Sequence, residues 1–60
     1  MINLDLDLDE KQIIALSQYV KRVGFSDVRQ NSIDDDEAYL VMDAIYQIAK
    51  SLKENGYDPR

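Results

Sequence analysis

A mainly α fold, in which one strand leads into an antiparallel helical hairpin, is predicted by three features of the sequence. Asp34 to Asn55 carries apolar residues at alternating steps of three and four, and Asp9 to Val23 repeats that period over a shorter length. Residues 2–8, INLDLDL, alternate apolar and polar without a break. The first two patterns line up one face of an α-helix, and the third lines up one face of a strand. The whole chain, 1–60, reads as one small strand–helix–helix domain.

In the strand, Ile2, Leu4, Leu6 and Leu8 face one way and Asn3, Asp5 and Asp7 the other. Aspartate and leucine are poor strand formers, so the pattern carries this expectation against propensity. A lone strand must pair with its own copy across a dimer axis, with a partner's sheet edge, or with nothing. Self-pairing would bring aspartates close together.

The first helix is expected over 9–23. Asp9 and Gln12 have capping-box spacing, and Ile13, Leu16, Val20 and Val23 form the buried stripe, with Ile14 and Tyr19 at its margins. Gly24 is expected to end it in a left-handed stop, with Phe25 folding back on Val20. The connector FSDVRQNSI is expected to be ordered, with Ser26 capping a single turn over 27–30. The second helix is expected over 34–55. Asp34 and Glu37 form its capping box, and Ile33 and Ala38 stand at staple positions. Its stripe is Ala38, Val41, Ile45, Ile48 and Leu52, widened by Met42 and Ala49. Gly56 stops it, Tyr57 covers Leu52, and Pro59 blocks continuation.

Sixty residues with no cysteine and no histidine leave few ways to staple a small core. The usual remaining staple is association, so a homodimer or a partner-bound fold is expected. The net charge of −5, twelve acids against seven bases, opposes direct binding to nucleic acid or to an anionic membrane. It suits a basic protein as partner. No stretch has the length of a membrane span or the shape of a signal peptide, so a cytoplasmic protein is expected.

Catalysis and cofactors find little support. Asp5, Asp7 and Asp9 are spaced like the opening of a calcium loop, but Glu10 and Leu16 stand where that loop needs glycine and glutamate. Asp34, Asp35, Asp36 and Glu37 could be read as a magnesium site or paired acid–base carboxylates, yet capping and the helix dipole account for acids at a helix start. Ser17, Ser26, Ser32 and Ser51 have no histidine to activate them, and the two glycines make no phosphate loop. Lys21, Arg22 and Arg29 read as dipole complements and as ion-pair partners for Asp27 or the acidic run. No enzyme, no cofactor and no metal site is therefore expected. Tyr39 and Tyr46, seven residues apart, edge the core or anchor a partner.

The order strand, helix, helix resembles ribbon–helix–helix repressors, which implies a dimeric, DNA-reading scaffold. Here the outward strand positions are Asn3, Asp5 and Asp7, which phosphates repel, and the connector is longer than that family's turn. The blocks YVKRVGFSDVRQNSIDDDEAYLVMDA and ENGYDPR resemble a family of small uncharacterised bacterial proteins found on chromosomes and mobile elements. That resemblance implies a bacterial or phage origin.

The expected function is non-catalytic protein–protein interaction. In its sharper form, Asp5, Asp7, Asp34, Asp35, Asp36, Glu37, Tyr39 and Tyr46 face a basic nucleic-acid-binding protein. The chain would then be a phage or mobile-element inhibitor of anti-CRISPR or anti-restriction type. The alternative is a ribbon–helix–helix-like dimeric transcription regulator.

Overall fold

One long helix organises the molecule. The computed structural model describes residues 2–57 and contains α1 (Glu10–Arg22), α2 (Phe25–Gln30) and α3 (Asp35–Glu54). Both shorter helices pack on α3, and they do not pack on each other. Contacts of Phe25 with Tyr39 and of Arg29 with Asp35 place α2 against the first half of α3. Ser17, Val20 and Lys21 of α1 line a groove with Tyr46, Ala49 and Leu52 in the second half. The chain thus runs down the length of α3 and returns through it.

The expected strand over residues 2–8 is not formed. These residues carry no regular structure and are exposed, and no strand occurs among the described residues. The physical reason is pairing: a strand's amide and carbonyl groups need a neighbouring edge, and this single chain offers none. Alternation selects a face without supplying that edge.

The helix ends are set by local chemistry. Asp9 accepts from the Gln12 amide at 2.8 Å and the Gln12 side chain accepts from the Asp9 amide at 3.0 Å, a complete capping box. Asp34 accepts from the Glu37 amide at 2.9 Å. Ile33 is 85% exposed, so the expected staple to Ala38 does not close. At the end of α3 the Gly56 amide donates to the Lys53 carbonyl and the Tyr57 amide to the Leu52 carbonyl. With Gly56 at φ +90°, this is the Schellman stop that the sequence predicts. Pro59 lies outside the described residues.

Gly24 behaves differently from the expectation. Val23 ends α1 in extended geometry, and Gly24, at φ −110°, is the N-cap of α2. Its amide donates to Asp27 Oδ2 at 3.2 Å. Gly24 therefore starts a helix where the sequence predicts a left-handed stop, and Ser26 lies inside α2, not at its cap. Phe25 joins α2 and stacks on Tyr39, with ring centroids 5.0 Å apart, in place of folding back on Val20.

The buried line of α3 is also rotated from the expected stripe. Its buried or half-buried apolar residues are Ala38, Met42, Ile45, Ala49 and Leu52, while Val41 and Ile48 are exposed. The side of α3 that is covered carries the small residues Ala38 and Ala49, and buried Ser17 stands on α1. The α1 stripe of Ile13, Leu16, Val20 and Val23 is half-buried as its spacing predicts. Buried Ser17 donates to the Ile14 carbonyl at 2.7 Å, so its hydroxyl costs little there.

The two glycines should respond oppositely to a methyl group. Gly56→Ala adds no clash but forces alanine into left-handed backbone, which should lower stability by about 1 kcal/mol. Gly24→Ala meets only Asp27 Oδ2 at 4.0 Å in ordinary backbone and should cost clearly less. Urea unfolding followed by circular dichroism measures both; equal losses would contradict the assignment of the two helix ends.

Candidate functional site

The sequence-predicted residues fall into three groups. Asp5 and Asp7 lie on the irregular exposed segment ahead of α1. Asp34, Asp35, Asp36 and Glu37 share the start of α3, with Tyr39 just beyond them. Tyr46 lies further along α3 at the groove against α1.

Much of the acidic run holds the fold together. Asp34 caps α3. Asp35 Oδ1 accepts from Arg29 Nε, and Arg29 also donates to the Ser32 carbonyl at 3.2 Å. That guanidinium ties α2, the turn and the first turn of α3 together, as the sequence predicts for an arginine opposite these acids. The turn is further tied by Asn31 Nδ2 donating to the Asp27 carbonyl and Ser32 Oγ donating to the Val28 carbonyl. The Arg29–Asp35 pair is partly exposed, and such pairs are worth about 0–1 kcal/mol. The Asp36 side chain makes no hydrogen bond or ion pair among the described residues and is exposed. No cluster of acidic groups among the described residues is arranged to hold a metal ion.

The tyrosines part company. Tyr39 is 61% exposed and rests on Phe25. Tyr46 is 66% exposed and lines a groove of about 520 Å³ with Ser17, Val20, Lys21, Ala49, Lys50, Leu52, Lys53 and Tyr57. Val20, Ala49 and Leu52 make this groove apolar, while Lys21, Lys50 and Lys53 are exposed cations and Tyr46 and Tyr57 add two rings. An acidic molecule thus gathers three of its seven bases at one apolar groove. Sequence reading treats Lys50 and Lys53 as dipole complements and misses the groove. The available signal was the spacing Tyr46, Lys50, Lys53, which places all three on one side of α3.

Fold and surface together define a small helical protein, with three helices among the described residues, a basic-edged apolar groove at one end of α3 and an acidic helix start at the other. The chain belongs to the DUF7706 family, a family of unknown function, whose pattern matches residues 1–60. No curated protein and no solved structure matches it. No helix among the described residues is long and apolar enough to cross a membrane.

The acids should divide by role. Asp34→Ala removes a cap and should cost about 1 kcal/mol of stability. Asp36→Asn should cost about 0.5 kcal/mol or less. Chemical unfolding of both variants checks this, and comparable losses would contradict the division.

Proposed function

We propose that this chain is a non-catalytic protein–protein interaction module whose acidic helix start engages a basic partner. The supporting observation is the chemistry around Tyr39. Tyr39, stacked on Phe25, and exposed Leu40 lie one helical turn on from the acids Asp35 and Asp36. Carboxylates beside an exposed aromatic and aliphatic surface suit a partner that combines basic side chains with an apolar pocket. Proteins that bind nucleic acid offer such surfaces, because phosphate recognition demands lysine and arginine. In its sharper form the chain is a phage or mobile-element inhibitor, of anti-CRISPR or anti-restriction type, that competes with nucleic acid for that surface. The alternative, a ribbon–helix–helix-like dimeric transcription regulator, is disfavoured by Asp5 and Asp7 in the segment that would read DNA, since phosphates repel them.

The purified chain, used as bait in a bacterial lysate with mass spectrometry, should retain a basic nucleic-acid-binding protein. That protein should lose its nucleic acid when the chain is added. The complex should weaken steeply as salt rises, since separated surface charges are screened beyond about 10 Å at 0.1 M salt. Asp36→Asn combined with Tyr39→Ala should weaken it further. Salt-independent affinity, or a partner that keeps its nucleic acid, would overturn the reading.

A further inference from the structure

We propose that the basic-edged groove between α1 and α3 receives residues 2–8 of a second copy of this chain, so that two copies exchange arms reciprocally. The inference deepens the interaction-module reading and rests on it. It assigns the arm to self-association and leaves the helix start near Tyr39 to the foreign partner.

Three observations carry it. The first is chemical complementarity. The arm alternates Leu4, Leu6 and Leu8 with Asp5 and Asp7. The groove offers apolar Val20, Ala49 and Leu52 together with Lys50 and Lys53. An extended segment lying with its leucines on the groove presents its carboxylates upward. Lysine stems are long enough to rise beside it and reach them. Pairing two arms as a sheet would instead bring aspartates together.

The second is area. The chain exposes 5378 Å², against about 4000 Å² for a compact monomer of 6.9 kDa. The excess exceeds the roughly 800 Å² that each partner buries in a standard interface. Much of it is apolar, with Ile2 89%, Leu4 78% and Leu6 67% exposed. No large side chain among the described residues is fully buried, so the single copy lacks the core that a stable monomer needs.

The third is chain geometry. The arm leaves α1 from Asp9, whose backbone is extended and held by both bonds of its capping box. To reach its own groove, the arm would have to reverse over α1. Between Ile2 and Gln12 there is no glycine or proline, Asp9 is committed to its capping box, and a turn placed on Asp5 or Asp7 would use up the carboxylates that meet the lysines. A neighbouring copy can accept the arm without bending it, and reciprocal exchange closes the assembly with two-fold symmetry.

Sedimentation equilibrium of the purified chain tests this with no foreign partner present. The chain should sediment as a dimer. Asp5→Lys with Asp7→Lys, or Lys50→Glu with Lys53→Glu, should each raise the dimer dissociation constant about tenfold or more. An equimolar mixture of these two charge-reversed chains should restore a heterodimer, because the reversed arm meets the reversed groove and the unchanged arm meets the unchanged groove. Leu4→Asp with Leu6→Asp should abolish the dimer and lower the melting temperature of the helical circular dichroism signal well below that of the parent chain. Asp36→Asn with Tyr39→Ala should leave the dimer intact, so failure of the foreign-partner reading and failure of arm exchange are separable. A monomer at all concentrations would overturn the proposal, as would a dimer indifferent to the arm. Charge reversals that fail to rescue one another would also overturn it. So would arm–groove contact in a monomer, seen by paramagnetic labelling of the arm.

Discussion

The Ala38 side chain has no exposed surface, and it lies where α2 seats against the first half of α3. Val28, 6% exposed, is its buried counterpart on α2, and burying a side chain of that size contributes about 2 kcal/mol. A larger residue at position 38 would hold α2 away and with it Phe25 and Arg29. Buried Ser17 and half-buried Ala49 are the small residues where α1 faces the second half of α3. The fold depends on this line of small residues because the two covering helices do not support each other.

The same constraint shapes the surface. Side chains small enough for close packing bury little apolar area, so the larger residues are displaced outward. Val41, Ile48, Leu40 and Tyr46 are exposed on α3, and the leucines of the arm are exposed ahead of α1. Stability on this scale is drawn from local devices: the Asp9–Gln12 box, the Asp34 cap, the Arg29 tie and the Schellman stop at Gly56. Such devices act within a few residues and fix helix ends without enclosing a core. Association then becomes the natural way to complete the molecule.

Features governed by local chemistry were legible in the sequence. Helix positions, the Asp9 and Asp34 caps, the Gly56 stop, the α1 stripe and the pairing of Arg29 with the acidic run all follow from neighbours within about six residues. Features that depend on what lies opposite were not. Alternation over residues 2–8 cannot report whether a sheet edge is present. Alternating steps of three and four mark the apolar side of α3, but which edge of that side is covered depends on the helices opposite, and it is the edge with Met42 and Ala49, not Val41 and Ile48. Gly24 carried two compatible local roles, and the side chain of Asp27 selected the helix start. The basic groove joins positions 17–21 to positions 46–57, a pairing that no local spacing encodes.

Thermal unfolding of the intact chain over a wide range of protein concentration tests the central claim, that one copy buries too little to stand alone. Because association stabilises the folded form by mass action, the melting temperature should rise steadily with concentration. A melting temperature independent of concentration, with a cooperative transition at the lowest concentration measured, would show that three helices on a line of alanines suffice.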